Sequence, residues 1–305
     1  MKSGILILDK PYGISSAKAV YQAKRLFHFK KAGHTGCLDP LATGLLPICF
    51  GEATKFSSYL LAANKIYYAV AKLGIKTSTA DSEGEVIQKR AVPALNFNQL
   101  RAVADTFTGE ITQIPSMFSA LKYQGKPLYQ LARQGITVER KERKVKITSI
   151  VIEHYQDDEL SITVSCSKGT YIRNLVEDMG EALGCGAHLK TLRRLGIGSF
   201  EAAQGVDLNT LSALSLEERA GFLHPISSML EDYPALTLNQ QETEALLQGK
   251  RISIANHSIL SICLNETAAL AQLIDPEGNF FGMGLVEASG YLHPHRMMAT
   301  KEEEG

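Results

Sequence analysis

The sequence predicts an α+β fold: a mixed, largely antiparallel sheet with a helical and loop insertion at about 110–145 and a small β-rich module at 233–305. Three observations point there. Runs rich in β-branched and aromatic residues (Lys65–Gly74) or with clean alternation (Leu160–Cys166) have the pattern of strands. Between them lie apolar residues at helical spacing: Leu100, Val103, Ala104 and Phe107, then Ile172, Leu175, Val176, Met179 and Leu183. From about Tyr233 onward the chain breaks into short strands and turns around Gly249, Gly278, Gly282 and Gly284.

In order, Gly4–Leu8 is a short strand buried on both faces and ended by Pro11 and Gly13. Ser15 or Ser16 caps a helix running to about Phe29, with Val20, Ala23 and Phe27 inward and Lys18, Lys24, Arg25 and Lys31 outward. A Gly-rich loop follows, then the buried run Leu45–Phe50 and a short helix over Thr54–Leu61. Lys65–Gly74 is expected to form a hairpin with a strand at Val86–Ile87, through the turn Asp81–Gly84. A helix starts at Asn96 or Asn98 and ends at Gly109. Residues 110–145 leave the sheet as an arm with interleaved aromatic and basic residues, including a short helix at Pro127–Gln134. Val145–Ile152 and Leu160–Cys166 are strands, and Thr170 is placed to cap the helix Tyr171–Leu183.

The chain has 305 residues, enough for one large and one smaller domain, here divided at 1–232 and 233–305. No apolar run approaches the length that spans a bilayer, and the Ile5–Leu8 stretch is too short for a signal-peptide core. Cys37, Cys49, Cys166, Cys185 and Cys263 show no Cys-x-x-Cys spacing and read as reduced thiols of a cytoplasmic protein. Net charge is zero but unevenly spread: residues 1–40 carry +5, residues 122–146 carry +6 and residues 226–305 carry −7. Two basic blocks suit a polyanion bound on one side.

Gly33-His34-Thr35-Gly36-Cys37-Leu38-Asp39-Pro40-Leu41-Ala42-Thr43-Gly44 has neither helical nor strand period, so it forms an ordered loop. It lacks the Lys-Ser/Thr of a P-loop and the glycine spacing of a dinucleotide site. His34 and Asp39 are too few to ligate a metal. What remains is a lone carboxylate among small and apolar residues, either a turn residue or a reactive acid.

That loop resembles the catalytic loop of the TruB-type tRNA pseudouridine synthases. Lys65-Ile66-Tyr67, Gln113-Ile114-Pro115-Ser116-Met117-Phe118-Ser119-Ala120-Leu121-Lys122 and Ser167-Lys168-Gly169-Thr170-Tyr171-Ile172-Arg173 are similar to the family's other motifs, in the same order. The resemblance implies a pseudouridine-synthase-type sheet domain, an RNA-clamping insertion and a C-terminal PUA-like RNA-binding module. It implies isomerisation of uridine 55 in the tRNA TΨC loop, by base flipping, without metal or cofactor. On its terms Asp39 is the nucleophile and Tyr67 stacks on the target base. Tyr171 is the second pocket tyrosine, Arg173 the basic partner of Asp39, and Leu192 an apolar pocket residue. His34 contacts RNA where the flipped base leaves the stack, and Asp81 is a further polar position. The expected partner is the TΨC stem-loop of tRNA, bound by a monomer without guide RNA or membrane. A carboxylate can attack the base or the ribose, or remove a ribose proton; the sequence does not choose. Arg173 is expected to pull the carboxyl pKa down against burial, or else to pair with Glu177 one helical turn on. The competing reading is an RNA-binding or RNA-folding protein to which Asp39 would be dispensable.

Overall fold

A computed structural model describes residues 2–254 and 268–299. Cys263 and the charged stretch 301–305, expected as a reduced thiol and a disordered end, lie outside the described residues.

The chain begins with β1 (Gly4–Lys10), α1 (Ser16–Leu26), β2 (Ala32–His34) and β3 (Ala42–Phe50). A 3-10 turn and α2 (Ser57–Ala62) lead to β4 (Lys65–Leu73), the hairpin β5 (Ile75–Thr77) and β6 (Val86–Lys89), α3 (Phe97–Thr106) and β7 (Gly109–Gln113). The insertion carries β8 (Lys122–Tyr123), β9 (Lys126–Pro127) and α4 (Leu128–Ala132). Then come β10 (Arg143–Gln156), β11 (Glu159–Cys166), α5 (Ile172–Ala182), β12 (Ala187–Ile197), β13 (Phe200–Glu201), α6 (Leu208–Ala213), α7 (Leu216–Ala220) and β14 (Leu223–His224). The last part holds β15 (Ala235–Thr237), α8 (Gln240–Leu247), β16 (Ile252–Ser253), β17 (Ala268–Ile274), β18 (Phe280–Glu287) and β19 (Tyr291–Met297).

The main sheet runs β14-β1-β3-β12-β4-β11-β10-β7, with β2 beside β3 and β13 on β12. Only β3 and β12 pair in parallel, so the sheet is mixed and largely antiparallel. The last part forms a five-stranded sheet. Alternation in β1 explains its continuous apolar run: Leu6 and Leu8 face the core under α1, α3 and α5, whereas Ile5 and Ile7 face a second core. That second core also takes in Phe200, Ile226 and Met283, the last contributed by β18 of the C-terminal sheet.

Four expectations are corrected. The strand at Val86 does not pair with β4; Gly74, at φ +81, turns the chain, and β6 pairs with the separate β5. Thr170 does not cap α5, because its hydroxyl donates to the Ser167 carbonyl at 2.9 Å. The arm is shorter than 110–145: β7 and the start of β10 pair with each other at the sheet edge. It keeps a small core of its own from Met117, Leu128 and Leu131. Residues beyond Tyr233 include a helix, α8, capped reciprocally by Asn239 and Glu242.

Candidate active site

Asp39 sits in the loop between β2 and β3, and three neighbours fix that loop. Ser15, not Ser16, caps α1 by accepting from the Lys18 amide at 3.2 Å. Ser16 is thereby free to clamp Leu38, accepting from its amide at 2.7 Å and donating to its carbonyl at 2.9 Å. The Gly13 amide donates to the Pro40 carbonyl at 2.8 Å, and the Asp39 carbonyl accepts from Ala42 at 3.1 Å. The acid is therefore held from both sides, by the Ser16 hydroxyl and by backbone hydrogen bonds, as a preorganised site requires.

Arg173, in the first turn of α5, converges on Asp39. Its Nη2 lies 3.1 Å from Asp39 Oδ2 and its Nη1 lies 3.2 Å from Asp81 Oδ2. Glu177 pairs instead with Lys76, at 3.1 Å. Asp81 is buried; it accepts from the Thr79 hydroxyl and, at 3.1 Å, from the Glu83 amide. Arg173 also donates to the Phe118 carbonyl of the insertion at 2.7 Å. The two acids differ in setting: the Asp39 side chain is 37% exposed, that of Asp81 only 4%. Asp39 is the one that can meet a substrate, and Asp81 sits behind the arginine.

A cleft of about 870 Å³ opens over this pair. Asp39, Tyr67, Tyr171, Arg173 and Leu192 all line it; His34 and Asp81 do not. His34, on β2, is half-buried and accepts through Nδ1 from the Gly36 amide at 3.4 Å. Burial and the nearby Arg194 hold its pKa below the usual imidazole value, so the ring is neutral. Leu192 stands across from Ala69 and Ala42, small residues that leave its side chain to form an apolar wall. Burial raises the pKa of both phenols, which keeps Tyr67 and Tyr171 uncharged. For Asp39, burial and the like charge of Asp81 outweigh Arg173 and Lys10, and the carboxyl pKa lies above its ordinary value. The expected downward pull of Arg173 is present but loses to desolvation. Lys65, Arg143, Lys144, Lys168 and Arg173 face a single carboxylate across the cleft, a charge balance suited to a polyanion.

The model of the TruB family pseudouridylate synthase N-terminal domain matches residues 24–172. Models of the tRNA pseudouridylate synthase B C-terminal domain and of the pseudouridine synthase II TruB C-terminal region match residues 173–231 and 234–298. The tRNA pseudouridine synthase B of Histophilus somni (strain 2336) is 44% identical over 305 residues, covering 99% of this chain and 96% of the relative. That of Ralstonia nicotianae is 54% identical over 255 residues, covering 82% and 81%. The chain belongs to the TruB family. It is accordingly a pseudouridine synthase, an isomerase. Among solved structures, a chain in an H/ACA RNP bound to a substrate RNA containing 2′-deoxyuridine superposes with a TM-score of 0.73 at 21% identity. That match covers 98% of this chain and 86% of the other, and it shows a shared fold.

Some residues of this TruB chain's site were not among the candidates the sequence offered. Lys10 is fully buried, donating to the Ile14 and Pro11 carbonyls at 2.7 and 2.9 Å, and burial lowers its pKa to about 8. Its place at the end of an apolar strand was the available clue. Gln113 exchanges two hydrogen bonds with the Tyr171 backbone, at 3.2 and 2.9 Å, and so fastens the root of the insertion to the pocket. Arg194 lines the cleft from β12 with almost no exposure. No group of three His, Cys, Asp or Glu among the described residues could hold a metal, and none of their helices is long and apolar enough to cross a membrane.

Proposed function

We propose that this chain isomerises uridine 55 in the TΨC loop of tRNA to pseudouridine, with Asp39 as nucleophile. The observation that supports it is the junction of the partly exposed Asp39 carboxylate with Arg173 at 3.1 Å in a cationic cleft walled by Tyr67, Tyr171 and Leu192. The relatives' names supply tRNA as the substrate class. Extruding the uridine costs roughly a few kcal/mol. Stacking on Tyr67 returns on the order of 1–3 kcal/mol of that, and Tyr171 and Leu192 close the remaining sides of the pocket. His34, neutral and next to the loop, meets the RNA where the base leaves its stack. The pocket must hold the detached uracil while it turns, so that a C–C bond replaces the C–N bond. Asp39 reacts as the anion, whether at the base or the ribose, and Arg173 with Asp81 behind it fixes which oxygen it presents.

In this reading residues 1–232 are the catalytic domain, and the insertion clamps the stem-loop. Residues 233–305 form a PUA-like module that contacts RNA through a small patch around Lys250, Arg251 and Arg296. The enzyme works in the cytoplasm as a monomer, without guide RNA, because it carries its own clamp. The decisive experiment incubates the protein with a TΨC stem-loop transcript in EDTA and maps pseudouridine. Product at the TΨC uridine, lost in Asp39→Asn with binding retained, is the expected result. Equal turnover by Asp39→Asn would leave the RNA-binding reading in its place.

A further inference from the structure

Arg194 has no part in the chemistry above, yet it is the largest fully buried side chain, 1% exposed. It stands directly across from Tyr67 in the β12–β4 pairing and across from Gly44 in the parallel β12–β3 pairing. Its Nε donates to the Leu45 carbonyl at 2.6 Å and its Nη2 to the Gly36 carbonyl at 3.2 Å, and the direct cross-strand pairing sets its side chain on the same face of the sheet as that of Tyr67. No carboxylate pairs with it among the described residues. Burying a cation on carbonyls alone costs stability that an apolar side chain of equal volume would not. The groups around it belong to three separate segments: it bonds to the Asp39 loop and to β3, and it pairs across the sheet with Tyr67 of β4. The backbone beneath it has no slack, since a Cβ at Gly44 would come within 2.3 Å of the Arg194 carbonyl oxygen.

We propose that Arg194 is a positioning residue that ties the Gly36 turn, and with it Asp39, to the ring of Tyr67, setting the distance between nucleophile and base platform. The inference rests on the uridine-isomerising reading. A guanidinium suits the task because its donors point in several fixed directions; an ammonium is a single point and cannot hold all three segments.

The test uses the full chain carrying Arg194→Lys, Arg194→Met, Tyr67→Phe or Arg194→Lys with Tyr67→Phe. Melting temperature, affinity for the TΨC stem-loop and the single-turnover rate of pseudouridine formation are measured for each. Both Arg194 variants should bind RNA within about threefold of wild type and react about 10²-fold slower, the scale of a 1 Å misplacement of reacting groups. Lysine should not rescue, and Arg194→Lys should slow the enzyme less once the Tyr67 hydroxyl is gone. If Arg194→Met does not fold, Arg194→Lys decides. The inference is overturned if Arg194→Lys reacts like wild type, if affinity falls in step with rate, or if the two substitutions are additive. A wild type that makes no pseudouridine removes the functional reading, and this inference with it; an active wild type with an equally active Arg194→Lys removes this inference alone.

Discussion

Replacing Arg173 by Met separates what the arginine does for the fold from what it does for the reaction. The side chains of Arg173 and Asp81 are 6% and 4% exposed, and their ends lie 3.2 Å apart. Removing one partner of such a buried pair costs about 3–5 kcal/mol, because the other charge stays buried and unpaired. Asp39 is 37% exposed and can be solvated, so its lost pairing adds only about 0–1 kcal/mol. At about 2–4 °C per kcal/mol for a domain of this size, Arg173→Met should melt about 6–24 °C lower. Adding Asp81→Asn removes the stranded charge while its side-chain oxygen still accepts from Thr79 and Glu83. The double variant should therefore recover most of the melting temperature and none of the activity, which depends on the pairing with Asp39. Thermal unfolding by circular dichroism and single-turnover assays at one pH provide both readouts. An Arg173→Met protein melting within about 2 °C of wild type, or a double variant that regains turnover, would refute the division of labour between the two acids.

Three further outcomes are expected. Because burial raises the native pKa of Asp39, its ionised form works against the fold: the stabilisation present in acid is lost as pH rises through that pKa. Asp39→Asn should then abolish product yet melt higher than wild type at neutral pH, an advantage that disappears in acid; calorimetry across pH checks the sign. The rate of product formation should climb with pH through a value above the ordinary carboxylate pKa, and Asp81→Asn, by removing a like charge, should move that limb to lower pH. Lys250→Glu with Arg251→Glu should weaken tRNA binding by less than about tenfold, as expected for a few phosphate contacts on an otherwise acidic module; a filter-binding loss larger than that contradicts it. Point substitutions are preferable to deleting residues 235–305, since Met283 is fully buried in a core shared with Ile5, Ile7 and Phe200.

The helices and most strands were legible because their periods survive in the fold. Ile172, Leu175, Val176 and Met179 are all buried on α5, and Leu160, Ile162 and Val164 on β11. The central strand β12 was not. Its leucines at 189, 192 and 195 follow neither strand nor helix period, because pairing with β4 shifts register between Leu189 and Thr191 and again between Arg194 and Gly196. These irregularities put a leucine at 195 half-exposed and an arginine at 194 inside, the reverse of what their chemistry suggests. The site shows the same limit. Asp39 stood out through its loop, but the link from Arg173 to Asp81 spans 92 residues and depends on a hairpin that the sequence placed against the wrong strand.

The strand order also sets when the enzyme can exist. In the sheet, β12 is inserted between β3 and β4, so the floor beneath Asp39 and Tyr67 is completed by a segment synthesised some 150 residues after the loop. Such distant pairings form slowly. A nascent chain emerging from the ribosome displays its basic arm before it has any pocket, and the cleft is complete only once residue 197 is in place. A chain stalled before that point exposes the long edges of β3 and β4, making the interval before closure the one most open to aggregation.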